Sequence, residues 1–126
     1  MLNRKRISSG SPWEPRVGYS RAVVAGGAIY VSGTVGVEAD GTAAPDTFRQ
    51  AQRALEIIGQ ALEQAGAGFE HVVRTRIFVT DIGEFNEIAR AHAAVFADIR
   101  PATSMVQVSR LVEPAFRVEI EVDAIL

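Results

Sequence analysis

Apolar and polar positions alternate along two runs in the C-terminal part of the chain, residues 104–109 and 117–125. Such a period of two is typical of strands whose two faces meet different environments. The second run has one apolar and one acidic face, with Val118, Ile120, Val122 and Ala124 opposite Glu119, Glu121 and Asp123. The pattern therefore predicts two C-terminal strands, and the second strand presents three carboxylates on one face.

Three further strands are predicted upstream. Residues 19–25 and 28–34 flank Gly26-Gly27, a dipeptide typical of two-residue hairpin turns. Residues 72–80 are rich in β-branched residues and alternate in polarity, which indicates a third strand. Residues 35–45 are predicted to be a loop or a short strand.

Apolar residues return every three or four positions in two segments, which predicts two helices. The first helix, over residues 46–65, presents the stripe Phe48, Ala51, Leu55, Ile58 and Leu62. Asp46 is placed to cap its first turn, and Gly66 is placed to end it. The second helix follows a cap at Asp81, and its apolar side holds Phe85, Ile88, Ala89, His92, Val95 and Phe96.

The order of these elements is β-β-(β)-α-β-α-β-β, which favours an α+β fold with both helices on one face of the sheet. Residues 17–126 are predicted to form a single domain. Residues 1–16 are predicted to be an irregular arm, first basic and then rich in serine, glycine and proline. The other sheet face stays open and carries Val72, Arg74, Arg76 and Phe78. Such a half-apolar open face predicts that the chain forms an oligomer.

Composition narrows the classes of function. The chain has 126 residues, 48% of them hydrophobic, and a formal net charge of −2, so it offers no general attraction for nucleic acid or anionic lipid. It has no cysteine, which excludes a disulfide framework and a thiol nucleophile. No apolar run approaches the roughly 18 residues that a membrane span needs. We therefore expect no membrane helix and a cytoplasmic location.

Two pairs of opposite charge are candidates for contacts between strands. Arg74 and Arg76 share one strand face, as do Glu119 and Glu121, so ion pairs are expected if the two strands are neighbours. Two interpretations follow. Either the four charges simply pair, or one carboxylate stays free in a cleft and acts as an acid, a base or a holder of water.

The two histidines do not indicate a metal site. His92 lies on the apolar side of its helix and is predicted to be a core residue with one satisfied nitrogen, whereas His71 lies in a polar connection. They are distant in sequence and no aspartates cluster near them, so no metal site is predicted. The motifs G-x-x-x-x-G-K-[ST], G-x-G-x-x-G and G-x-S-x-G are also absent, which leaves nucleotide binding and serine hydrolysis without support.

Five segments stand in a recognisable order: Y-x-x-A-V, I-Y-V-S-G-T, V-V-R-T-R-I-F-V-T-D-I-x-x-F, R-P-A-x-S-M-V-x-V-x-x-L and the final V-E-I-E. Together they resemble the Rid family, also called YjgF or endoribonuclease L-PSP. The resemblance extends from about Val17 to Leu126 and rests on the order and spacing of the segments.

The resemblance implies a chorismate-mutase-like α+β fold that assembles as a homotrimer with ligand clefts between subunits. It implies hydrolysis of reactive 2-imino and enamino acids to 2-keto acids and ammonia, without a metal or organic cofactor. The matching cleft positions are Tyr19, Ser32, Gly33 and Met105, and Glu119 matches the glutamate thought to hold or activate the attacking water.

The chain departs from the family pattern at Thr103, where active members have the arginine of P-A-R-S, and at Ala89, which replaces an asparagine. A guanidinium clamps a carboxylate through two charge-assisted hydrogen bonds, worth about 1.5–3 kcal/mol for each bond to a charged group, whereas a threonine hydroxyl gives one neutral bond of about 1 kcal/mol. Efficient turnover of small 2-imino acids in the standard geometry is therefore not expected. Either Arg21 or Arg110 supplies the guanidinium, or the substrate carries no carboxylate.

Three hypotheses for function follow. The first is a trimeric hydrolase of an imine, an enamine or a related carbonyl metabolite. The second is a non-catalytic ligand-binding or regulatory protein on the same scaffold, which the missing arginine favours. The third is the ribonuclease of the older family name, against which the net charge of −2 and the absence of a basic groove argue.

Overall fold

A computed structural model describes residues 3–126, in which six strands form one mixed sheet. The strands are β1 (Arg4–Ile7), β2 (Ala22–Ala25), β3 (Ala28–Val35), β4 (Val72–Val79), β5 (Ala102–Gln107) and β6 (Val118–Ile125). The helices are α1 (Trp13–Val17), α2 (Thr47–Gln64) and α3 (Phe85–Phe96), with 3-10 turns at Phe69–His71 and Ile82–Glu84. The strand order is β1-β2-β3-β6-β4-β5, and all neighbours are antiparallel except β4 and β5.

The two long helices begin close to where the apolar periodicity predicts them. The Asp46 carboxylate accepts a hydrogen bond from the backbone amide of Arg49 at 2.8 Å and so caps α2. Asp81 instead caps the 3-10 turn that precedes α3, because its carboxylate accepts from the Gly83 amide at 2.8 Å. The prediction that Asp81 caps α3 is therefore wrong, because Asp81 caps the short 3-10 turn that precedes this helix.

The core lies between one face of the sheet and the helices α2 and α3, which pack together on that face. The apolar side of β6 is its centre, with 0% exposure at Val118, Ile120, Val122 and Ala124. The α2 stripe contributes Ala51, Leu55, Ile58 and Leu62, and α3 contributes Ile88, Ala91 and Phe96. The predicted α+β fold with both long helices on one sheet face is confirmed.

The N-terminal segment is more regular than its composition suggests. β1 pairs with β2 and buries Ile7 in the core, and α1 follows it. Glu14 of α1 holds the intervening loop, because its carboxylate accepts from the Ser8 hydroxyl at 2.8 Å and from the Ser9 amide at 3.0 Å. The prediction of an irregular arm over residues 1–16 is therefore wrong for residues 4–7 and 13–16, and residues 1–2 lie outside the described part.

A register shift in β4 changes the predicted open face of the sheet. The pairing with β6 slips between Val72 and Arg74, so Val72 is buried in the core and Val73 is exposed. The prediction that Val72 lies on the open face is therefore wrong. Arg74, Arg76 and Phe78 do lie there, opposite the three acids of β6.

A buried glutamine connects α2 to the segment that leads into β6. The Gln50 side-chain amide donates to the carbonyls of Ala44, at 3.1 Å, and Ala115, at 2.9 Å. Its oxygen accepts from the Arg117 amide at 2.8 Å. Since Gln50 is only 2% exposed, water does not readily replace these bonds.

Replacing Gln50 by alanine is predicted to lower the free energy of unfolding by about 2–3 kcal/mol, because buried backbone groups lose their partners. Gln52, on the exposed side of the same helix, gives the matched control, and Gln52→Ala is expected to change stability by no more than about 0.5 kcal/mol. Urea unfolding of both variants measures the difference. Equal stability of the two variants would contradict the anchoring role of Gln50.

Candidate functional site

A bulge in β3 forms the centre of the candidate site. The pairing of β3 with β6 shifts between Val31 and Thr34, which takes Ser32 and Gly33 out of the regular ladder. The Ser32 amide donates to the Arg21 carbonyl at 2.9 Å, and the Ser32 hydroxyl donates to the Ser20 carbonyl at 2.7 Å. The bulge is therefore fixed by the segment that leads into β2.

Glycine at position 33 lets a carboxylate approach the backbone of the bulge. A Cβ atom built on Gly33 would lie 2.6 Å from Oε2 of Glu119, closer than real Cβ contacts allow. Glu119 is half-buried there and forms no ion pair with any side chain of residues 3–126. The bulge thus receives one unpaired carboxylate from the neighbouring strand.

The three acids of β6 have different partners. Arg76 pairs with Glu121 at 3.3 Å and with Asp123 at 3.2 Å. Glu119 lies opposite Phe78 in the ladder, and no guanidinium of β4 reaches it. The expected cross-strand pairing is therefore present for Glu121, whereas Glu119 is the carboxylate that stays free.

The surroundings of Glu119 disfavour its charged form relative to a carboxylate in water. Burial raises the pKa of Glu119 above its ordinary value, the neighbouring Glu121 adds to this increase, and Arg21 opposes it. A carboxyl group whose pKa is shifted towards neutrality exchanges a proton more readily under physiological conditions, which suits general acid or base chemistry.

Arg21 completes this half of the site. Its guanidinium donates from Nη2 to the Gly33 carbonyl at 2.6 Å and lies 5.7 Å from the Tyr19 ring centroid. Its Nε is buried and makes no hydrogen bond within residues 3–126. Five of the predicted site residues, Tyr19, Arg21, Ser32, Gly33 and Glu119, thus belong to one cluster, which we call the bulge cluster.

The open sheet face beside the bulge cluster is concave. A cavity of about 850 Å³ is lined there by Tyr19 and Ser32 together with Glu14, Tyr30, Glu121 and Asp123, among others. Arg21, Gly33 and Glu119 do not line it. The cavity thus adjoins the bulge cluster without enclosing it.

The other predicted site residues lie elsewhere in the chain. Thr103 and Met105 are on β5, beside Thr75 and Ile77 of β4, whose side chains face the core. They therefore lie on the helix side of the sheet, whereas Glu119 lies on the open side. Two strands, β6 and β4, separate β5 from β3, which is roughly 14 Å at about 4.8 Å per strand.

Arg110 follows β5 in an exposed loop. Its Nε is 3.5 Å from the Leu111 carbonyl, and it forms no ion pair with residues 3–126. The predicted site residues therefore fall into two groups, the bulge cluster and a β5 half that consists of Thr103 and Met105. Arg110 belongs to neither group.

Sequence reasoning missed a chain of hydroxyl groups behind Thr103. The Thr75 hydroxyl lies 3.0 Å from Nε2 of His92 and 2.8 Å from the Thr103 hydroxyl, which donates to the Pro101 carbonyl at 3.1 Å. One ring nitrogen of His92 is satisfied, as predicted, but the residue is half-buried and lies outside the core cluster, and this partial burial lowers its pKa. The available signal was Thr75 itself, a polar residue on the apolar face of β4.

The described residues contain neither a group of metal ligands nor a membrane-spanning helix. Within residues 3–126, no three His, Asp or Glu side chains are grouped as metal ligands would be. None of the helices in the described part is long and apolar enough to cross a bilayer.

Comparisons with known proteins agree on one family. The model of the family described as endoribonuclease L-PSP matches residues 10–126. The 2-iminobutanoate/2-iminopropanoate deaminase of Rattus norvegicus is 33% identical over 124 residues, covering 97% of this chain and 90% of the deaminase.

Solved structures show the same fold. Rv2704 from Mycobacterium tuberculosis, a member of the YjgF/YER057c/UK114 family, superposes with a TM-score of 0.92 and 48% identity, covering 98% of this chain and all of that one (100%). YyfA from Yersinia pestis, of the Rid protein family, gives a TM-score of 0.86 and 32% identity, with 98% and 100% coverage.

Two substitutions, each of which removes one charged side chain, are predicted to shift the pKa of Glu119 in opposite directions. Arg21→Met removes the opposing positive charge and raises the pKa of Glu119, whereas Glu121→Gln removes the neighbouring negative charge and lowers it. Arg74→Met, on the same sheet face opposite Asp123, is the control and leaves it unchanged. Titration of the Glu119 carboxyl carbon by NMR measures all three, and shifts of the same sign for the first two would refute the electrostatic assignment.

Proposed function

We propose that this chain, which belongs to the Rid or endoribonuclease L-PSP family, hydrolyses a reactive imine or enamine of a small metabolite. The name of the rat relative states such a deamination. The observation that carries the proposal is Glu119, an unpaired and half-buried carboxyl group with a raised pKa beside a backbone bulge.

The proposed reaction needs one water molecule and one proton carrier. Glu119 accepts a proton from water as the oxygen attacks the imine carbon, and the C=N double bond becomes a single bond. The same carboxyl group returns the proton to nitrogen. The carbinolamine then collapses: its hydroxyl proton passes to nitrogen, the C–N bond breaks, ammonia leaves, and the C–O bond becomes the carbonyl double bond. A positioned general acid or base of this kind contributes about 10²–10⁴-fold to the rate.

The bulge supports this role by orienting the ligand. The Ser32 hydroxyl donates its hydrogen to the Ser20 carbonyl, so its lone pairs remain available as acceptors. Tyr19 contributes a phenol and an aromatic surface at the edge of the adjoining cavity. Together they provide acceptors and an apolar wall for a small polar ligand.

The separation of the two halves supports a cleft between subunits. Thr103 and Met105 lie on the opposite sheet face from Glu119, so one chain does not bring them together. β5 is the edge strand of the sheet, and its outer edge is unpaired within residues 3–126. In the proposed homotrimer, β5 of one subunit approaches the bulge cluster of the next.

Thr103 favours substrates other than small 2-imino acids. Its hydroxyl lacks the charge and the fork geometry that bind a carboxylate. Arg21 directs Nη2 to the Gly33 carbonyl and lies in the bulge cluster, so it does not occupy the position of Thr103. Replacement of the missing arginine by Arg21 or Arg110 of another subunit stays a prediction. The cytoplasmic location and the lack of a cofactor also stay predictions.

The threonine at position 103, in place of the family's arginine, favours a second candidate function. A protein without the carboxylate clamp is suited to bind a carbonyl metabolite without converting it, as a non-catalytic or regulatory protein. Ligand-induced stabilisation without any release of ammonia is the result that this alternative predicts.

Glu119→Gln is predicted to lower the rate of imine hydrolysis by about 100-fold or more, because the amide carries no proton between water and nitrogen. Its shape is conserved, so the oligomer is expected to stay intact. Glu113→Gln, in the exposed loop before β6, is the control and keeps the wild-type rate. Ammonia release from freshly generated imines, with light scattering for the oligomer, makes the test. Wild-type turnover by Glu119→Gln would exclude this residue as the proton carrier.

A further inference from the structure

We propose that Thr103 presents a hydrogen-bond acceptor to the ligand, so that the site selects a neutral hydrogen-bond donor, such as a carboxamide, over a carboxylate. The inference deepens the proposed function and rests on it for the place of Thr103 in the cleft. Its evidence is the hydroxyl chain formed by Thr75 and Thr103 between His92 and Pro101.

The contact between Thr103 and Pro101 favours one direction of the hydroxyl chain. A proline carbonyl only accepts hydrogen bonds, so the contact at 3.1 Å commits the Thr103 hydrogen to Pro101. The Thr75 hydroxyl then donates to Thr103 across 2.8 Å. Thr75 in turn accepts from Nε2–H of His92 across 3.0 Å. Each hydroxyl thereby donates once and accepts once.

Thr103 keeps a free lone pair when the hydroxyl chain runs in the opposite direction as well. If Thr103 instead donates to Thr75, and Thr75 to a bare Nε2 of His92, the single hydrogen of Thr103 is again used inside the protein. A hydroxyl has one hydrogen and two lone pairs. In both arrangements, at least one lone pair of Thr103 is free to accept a hydrogen bond from a ligand.

Burial makes this arrangement costly to change. Thr75 is 0% exposed, so breaking its contact with His92 or with Thr103 leaves a buried hydroxyl without a partner that solvent could replace. Thr103 is the exposed end of the chain and the member that a ligand reaches. The buried Thr75 hydroxyl therefore fixes the position at which Thr103 offers a lone pair to a ligand.

The neighbouring groups on β5 fit a neutral ligand. Met105, next on the same face, is half-buried and apolar, so it suits a small aliphatic substituent. Arg100, the basic residue that precedes this strand, directs Nε to the Ala97 carbonyl at 3.1 Å. A carboxylate placed at Thr103 would face lone pairs, whereas an amide N–H would find an acceptor.

The test compares two unreactive ketones of nearly equal size, 2-oxobutanamide and 2-oxobutanoate, by calorimetric titration of the intact protein. Wild type is expected to bind the amide at least 10-fold more tightly. Thr103→Val, which keeps the shape but loses the acceptor, is expected to lose this preference, whereas Thr103→Ser keeps it. Thr103→Arg is expected to reverse it. Ser104→Ala, on the other face of the strand, is the matched control and keeps the preference.

Three results would overturn the inference: a wild-type preference for the carboxylate, an unchanged preference in Thr103→Val, or binding of neither compound. Failure of the proposed function is separate, because these ketones are bound without hydrolysis. A preference for the amide in a protein that hydrolyses no imine would count against the proposed reaction alone. Imine hydrolysis with a preference for carboxylates would count against the acceptor role of Thr103 alone.

Discussion

Burial of the apolar face of β6 is the constraint on which the other features depend. Its four apolar residues have 0% exposure between the helices and the sheet, and each buried valine or isoleucine contributes about 1.5–3 kcal/mol. Because side chains alternate along a strand, this burial forces Glu119, Glu121 and Asp123 onto the opposite face. A slip of one residue would place three carboxylates in the core, so the register is strongly specified.

The same register gives three similar acids different roles. Glu121 and Asp123 lie within reach of Arg76 and form a surface ion-pair network. Glu119 lies opposite Phe78 and against the bulge of β3, where burial rather than pairing determines its pKa. An unpaired carboxylate at Glu119 therefore follows from sheet geometry and from the missing side chain of Gly33.

Patterns within one segment were sufficient to predict much of the fold. Alternation predicted β6, and the 3.6-residue period predicted α2 and α3, because these signals reflect burial of one face. β1 was missed because a four-residue strand with the sequence R-K-R-I carries no alternation. The register shift in β4 was missed as well, since it depends on the partner strand. For the bulge in β3, in contrast, the glycine at position 33 within a strand pattern is a local signal.

The candidate site was predictable only in part for the same reason. Sequence resemblance gave the residues of both halves, but only the structure shows that Thr103 and Glu119 lie on opposite sheet faces. The hydroxyl chain joins three residues from β4, α3 and β5, and local patterns do not predict contacts between such distant positions. In the proposed site, Thr103 replaces the family's arginine with a positioned hydrogen-bond acceptor.

The most direct test of the central claim, a site shared between two subunits, is a mixing experiment with two inactive variants. Glu119→Gln lacks the proton carrier, and Thr103→Tyr fills the β5 half with a bulky ring. If each cleft takes one half from each of two chains, co-refolding the variants in equal amounts restores about a quarter of the wild-type sites. Mixed oligomers that hydrolyse imines no faster than either variant alone would show that the two halves do not form one site.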